Sequence, residues 1–175
     1  MMRPNATRIL VGLTCLLILG IGTDVTAQTE VGVRFGALRT SSKEPNGLKT
    51  GPRLVGLTVG REALRLERWS LGAEAALDLS VGSGDTRNGP PWDMTLAGAY
   101  LTARTTDRFY VKGRVGLVYE RISIDDEFDV AEDAIGLSLG AALGAMVADG
   151  IRFEISGTVV EEQMALLAIG LRRSF

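Results

Sequence analysis

The side chains available for chemistry are few, and the missing ones exclude whole reaction classes. The 175-residue chain has no histidine and one cysteine, Cys15. Ser-His and Cys-His nucleophilic pairs, histidine general bases and the usual zinc ligand sets are therefore ruled out. Cys15 lies inside an apolar run near the start, so the chain beyond it has no disulfide, thiol nucleophile or thiolate metal site. Carboxylates remain, and the best pair is Glu74 and Asp78. Four residues along an extended strand separate them by roughly 13 Å, too far to share one bond-breaking site. Glu154 or Glu120 would have to approach from another strand. No cofactor or metal site is expected, and an enzyme relying on carboxylate, serine or lysine is the minor alternative.

A second set of residues makes sense as a network rather than as a catalyst. Arg34, Glu74, Asp78, Lys112, Arg114, Arg152 and Glu154 mix both signs at alternating positions of otherwise apolar segments. Gathered in a narrow interior, such groups must pair or stay hydrated, because an isolated charge there is costly. The expected role is a structural lumen network; a narrow path for ions or small solutes is the functional alternative. A third set, Asp125, Asp126, Glu127, Asp129, Glu132 and Asp133, is oxygen-rich but lacks the spacing and glycine of an EF-hand. It reads as a solvated loop, with divalent-ion contact as the rival.

The elements that must hold these residues are strands, because apolar residues recur with period 2. The pattern is cleanest at 109–119, where Phe109, Val111, Val115 and Leu117 alternate with Tyr110, Lys112, Arg114 and Gly116. Segments 68–81 and 151–159 repeat it, and 30–39, 52–62, 92–104, 133–148 and 164–175 complete eight strands. In 92–104 both faces are apolar, and Met94, Leu96 and Tyr100 are assigned outward. In 133–148, Gly136, Gly140 and Gly144 lie four apart, as on a membrane helix contact face. The uncharged stretch between Asp133 and Asp149 is short for a helical span, so a strand is expected.

Residues 1–27 read as a secretory signal. Arg3 and Arg8 precede the apolar run Ile9–Gly22, and Val25-Thr26-Ala27 supplies a cleavage site. About 148 residues then form a single domain, 28–175. Eight strands of roughly 10 residues fit that length, whereas sixteen would not. A net charge of −2 gives no general reason to expect nucleic acid as a partner.

Three features choose a lipid-facing exterior over an apolar core. Long polar connections near 40–51, 81–91 and 121–132 alternate with tight ones near 104–107 and 148–150. Aromatic residues sort by strand direction: Trp69, Tyr100, Phe109, Phe153 and Phe175 fall at one border, and Trp92 and Tyr119 at the other. The chain ends in Phe175, with Leu167, Ile169 and Leu171 at the same parity. In these features the sequence resembles the small eight-stranded bacterial outer-membrane β-barrel proteins, whose last strand typically ends in phenylalanine. Arg173 departs from that pattern.

The resemblance implies an all-β fold: one antiparallel up-and-down transmembrane barrel in the cell outer membrane. It implies outer-membrane lipid and lipopolysaccharide as surroundings, and Phe175 as a signal to the barrel-insertion machinery. The leading expectation is a non-enzymatic barrel with a side-chain-filled lumen, presenting external loops for surface interaction or envelope integrity. A narrow channel or transporter, a lipid-modifying enzyme and a soluble periplasmic ligand-binding barrel are the alternatives.

Overall fold

The computed structural model describes residues 28–40, 48–86, 90–124, 130–161 and 164–175. The signal segment 1–27 and the acidic residues Asp125, Asp126, Glu127 and Asp129 lie outside the described residues. The barrel strands are β1 (Thr29–Thr40), β2 (Arg53–Arg65), β3 (Trp69–Gly82), β4 (Trp92–Thr105), β5 (Phe109–Ile124), β6 (Val130–Ala148), β7 (Ile151–Glu161) and β8 (Met164–Ser174). Each pairs antiparallel with its sequence neighbours, and β1 pairs with β8 to close an eight-stranded barrel. Closure gives every strand two partners and removes the exposed edges of an open sheet. The glycine-rich segment 133–148 is strand, as its length requires.

Tight turns join the strands at the end of the barrel that holds both the first and the last residue of the sheet. One is Asp149-Gly150, where Gly150 has a φ of 69°, in the left-handed region that glycine enters without a side-chain clash. At the opposite end, the connection near 121–132 is shorter than the sequence suggests. The β5–β6 ladder continues through Arg121–Asp133 and Ile122–Glu132 to Ile124–Val130. Two short segments there, Leu48–Thr50 and Asp85–Thr86, pair with each other and tie the first long connection to the second. The indole N–H of Trp92 donates to the Thr50 carbonyl at 3.2 Å, anchoring this small ribbon to the barrel.

Even-numbered residues face inward through the middle of all eight strands. The odd-numbered residues form an exposed apolar wall. Val33 (54% exposed), Leu57 (55%), Leu101 (63%), Leu137 (78%) and Ile169 (51%) sample its circumference. A water-soluble barrel would bury this face, so the arrangement is the reverse of the soluble ligand-binding alternative.

The β3–β4 seam departs from a regular ladder near the loop end. Continuous backbone pairing runs as far as Leu79–Thr95 and resumes at Gly84–Trp92. In between, the Ser80 hydroxyl donates to the Met94 carbonyl at 3.0 Å and accepts from the Met94 N–H at 2.8 Å. One side chain thus satisfies both polar groups of a nearly inaccessible residue. Ser80→Ala would leave both unpaired, and a loss of about 1–3 kcal/mol in unfolding free energy is expected in urea titration. A change below a few tenths of a kcal/mol would show that the seam closes without the hydroxyl.

Candidate functional site

Among the described residues the interior of the barrel gathers a cluster of charge, and it is divided along its length. Under the loops, the inward residues are mostly apolar: Leu38, Leu54, Trp92, Met94, Leu96, Val118, Val160, Met164 and Leu166 form a packed cluster, with Glu120 buried beside it on β5. Toward the tight turns they are ionic. The expectation of a polar lumen therefore holds for only part of its height.

Six of the seven residues singled out from the sequence are buried inside, and the seventh, Arg152, is partly buried at the turn end. They do not form one group. Arg34 and Asp78 make a bidentate pair, with Arg34 Nε donating to Asp78 Oδ1 at 2.6 Å. Nearer the turns, Glu74 accepts from Lys112 Nζ at 3.1 Å and Arg114 Nη1 at 2.9 Å. Arg172 Nη1 lies 2.7 Å from the same carboxylate. Glu154 accepts from Lys112 at 2.8 Å and from the Tyr110 hydroxyl at 3.2 Å, while Arg172 Nε stands 3.2 Å away. Arg152 belongs to a third group at the turn end, where it and Arg104 both donate to Glu30.

Arg172, Glu30, Arg104 and Tyr110 were not among the residues singled out. The parity of their strands carries the signal for Arg172, Glu30 and Tyr110: Arg172 alternates with Leu171, Glu30 with Val31, and Tyr110 with Phe109 and Val111. Arg104 falls in the turn expected near 104–107, whereas β4 runs on to Thr105 and carries it inward.

The central group sets three cations against two carboxylates. One feature compensates. Arg114 lies over the Tyr100 ring, 5.0 Å from its centroid, and donates to the Thr158 hydroxyl. Glycines make room for the long side chains. A Cβ built on Gly56 would fall 2.0 Å from Asp78 Oδ1, one on Gly140 would fall 2.7 Å from Arg114 Nε, and one on Gly144 would fall 2.1 Å from the Tyr110 ring. The four-residue spacing of Gly140 and Gly144 thus follows from inward packing between strands. The space left beside this layer, lined by Glu30, Glu62, Glu74, Arg104, Lys112 and Arg172, is about 30 Å³. That holds a water or two.

The chemical consequence is a site whose carboxylates are paired internally. Both oxygens of Glu74 and of Asp78 meet cations, and Glu154 meets two cations and a hydroxyl. Each of these carboxylates is engaged in ion pairs within the protein. Among the described residues, no cluster of three or more potential ligands could hold a metal ion.

The aromatic residues need two corrections. Trp92 (1% exposed) and Tyr100 (4%) point into the barrel, not toward a border. Met94 and Leu96, also assigned outward, are inside with them. Tyr119 has outward parity but is 2% exposed, and its hydroxyl donates to Asp133 Oδ1 at 2.9 Å. Trp69 (47%), Phe109 (75%) and Phe175 (71%) are exposed at the turn end, where Phe153 is half-buried.

No family model matches the chain, and no curated protein matches it. Solved structures do. The attachment invasion locus protein Ail of Yersinia pestis superposes with a TM-score of 0.60 at 11% identity, over 85% of this chain and 97% of that one. Neisserial surface protein A gives 0.53 at 11% identity, with the same coverage of 85% and 97%. The N-terminal β-barrel domain of Pseudomonas aeruginosa OprF gives 0.52 at 15% identity, again over 85% and 97%. At such low identity the likeness is one of architecture, and it agrees with the wall and interior described above: the chain has the fold of the small eight-stranded outer-membrane β-barrels.

Proposed function

We propose that this chain is a bacterial outer-membrane protein in which a closed, non-conducting and non-catalytic barrel anchors a loop-end surface for interaction or envelope integrity. The observation that carries the reading is the pairing of an apolar exterior with an interior that is charged yet self-satisfied. Lipid is the medium in which that exterior is stable, and ion pairing is what keeps such an interior closed. In this reading residues 1–27 are removed after Ala27, Trp69, Phe109, Phe153 and Phe175 mark the inner lipid border, and Phe175 addresses the insertion machinery. The surface on offer comprises the ribbon of Leu48–Thr50 with Asp85–Thr86 and the β5–β6 hairpin that rises beside it.

Purification from outer membranes followed by heat-dependent gel mobility tests the placement: a folded barrel migrates faster before boiling than after. Recovery of the protein as a soluble periplasmic species would overturn it. In planar bilayers the protein is expected to give no single-channel steps, because the apolar cluster and the ionic layer lie in series across the lumen. Stable conductance steps would instead support a channel.

A further inference from the structure

We propose that two copies of this chain pair in the membrane through the outer face of β6, about a twofold axis that passes by Ala141; the proposal rests on the outer-membrane reading above. The wall is not uniform there. Leu137 (78% exposed), Leu139 (61%) and Leu143 (65%) form a ridge along β6, standing further out than Val115 (46%) and Val159 (49%) on the neighbouring strands. A groove across the strands interrupts this ridge at Ala141. Its floor is one row in register, Ala103–Gly113–Ala141–Gly157, supplied by β4, β5, β6 and β7. Leu71 and Leu167 close its two ends. A Cβ on Gly113 would meet nothing within 4 Å, and one on Gly157 only the Leu167 side chain at an ordinary 3.5 Å. Among the described residues, then, nothing within one copy asks for glycine at either position. Glycine weakens a strand interior, and a bare backbone there suits a neighbour that packs close.

Two observations name a second copy as that neighbour. The first is that ridge and groove cross at right angles. Copies inserted the same way are related by an axis along the membrane normal, and the strands of such a barrel tilt by roughly 40°. Facing copies therefore cross their strands at about 80°, which lays the β6 ridge of one along the groove of the other. Leu139 and Leu143 lie roughly 7 Å to either side of Ala141 along the strand, and Gly113 and Gly157 about 5 Å to either side of it across the sheet. With Ala141 of one copy facing Ala141 of the other, both leucines of each chain drop onto the glycines of its partner. The second is area. Leu101, Leu137, Leu139, Leu143, Val115 and Val159 together offer roughly 700 Å² per copy, close to the about 800 Å² per partner of a stable interface. Lipid tails are as apolar as leucine, so the fit of knobs into holes, and not apolarity itself, sets the pairing. An acyl chain would fill the groove and leave the ridge unmatched.

The test is disulfide trapping in isolated outer membranes, for which residues 28–175 offer a background without cysteine. Ala141→Cys is expected to give a covalent dimer on mild oxidation, seen at twice the monomer mass on a non-reducing gel. Leu57→Cys, on β2 across the barrel, is expected to stay monomeric. Adding Gly113→Leu fills the hole and should cut the trapped fraction of Ala141→Cys roughly tenfold. The added side chain meets open space within one copy, so folding is expected to survive, and heat-dependent gel mobility checks it. Equal trapping at Leu57→Cys and Ala141→Cys would overturn the pairing. So would trapping that Gly113→Leu leaves unchanged, a monomer alone, as lipid on this face would leave, or a cross-link to a different protein. Cell fractionation reports on membrane location independently, so failure of this pairing and failure of the outer-membrane reading are separable.

Discussion

Glu74→Gln is expected to destabilise the barrel by about 3–5 kcal/mol, because it leaves buried cations without their shared partner. Glu74 is 4% exposed and is the only carboxylate in contact with Arg114 among the described residues. It also takes half of the contacts made by Lys112 and Arg172. Glutamine keeps the shape and one acceptor oxygen but removes the charge, and Glu154 alone cannot balance three cations. Urea unfolding in lipid vesicles, followed by tryptophan fluorescence, measures the loss, with Trp92 as a buried reporter. Adding Lys112→Met to the variant should recover part of it, since the mismatch in charge then falls. A loss below about 1 kcal/mol would mean that water enters the layer freely, contrary to the packing seen.

Leu139→Arg is expected to cost about 2–4 kcal/mol and to reduce recovery in the membrane fraction. Leu139 is 61% exposed near the middle of the outer wall, in register with Val115 on one side and Val159 on the other. On a water-facing surface an arginine there would change stability by no more than about 0.5 kcal/mol. The size of the effect therefore reports the solvent on that face directly. A near-neutral result would mean that the wall is not in hydrocarbon.

Eight strands and their order were legible because alternation is strong wherever the inside is polar and the outside apolar. Arg34, Glu74, Lys112 and Glu154 could be placed inside on that contrast alone. The failures share one physical cause. Near the loops the contrast inverts: Asp93, Arg121 and Ser123 face out while Trp92, Met94, Ile122 and Ile124 face in. A strand crossing from one regime to the other, as β4 does, shows apolar residues first on its inner face and then on its outer face. Its parity averages away, and Trp92, Met94, Leu96 and Tyr100 were placed on the wrong side. The same inversion made the top of the β5–β6 hairpin look like a polar loop. The division of the network into three groups depends on inter-strand register and side-chain reach, which no single strand encodes.

The unequal division of the interior bears on how such a barrel can be built. If the hairpins enter the bilayer loop-end first, the part that travels furthest is lined with leucine, methionine and tryptophan. Most of the ionised groups stay close to the side they started from, and Arg172 of β8 meets Glu74 of β3 only as the last seam, β1 to β8, zips shut. Arg34 reaches Asp78 within β1 to β3, and Arg172 reaches Glu154 on neighbouring β7, so those pairs can form earlier. Completing the central ionic layer would then be the final act of assembly.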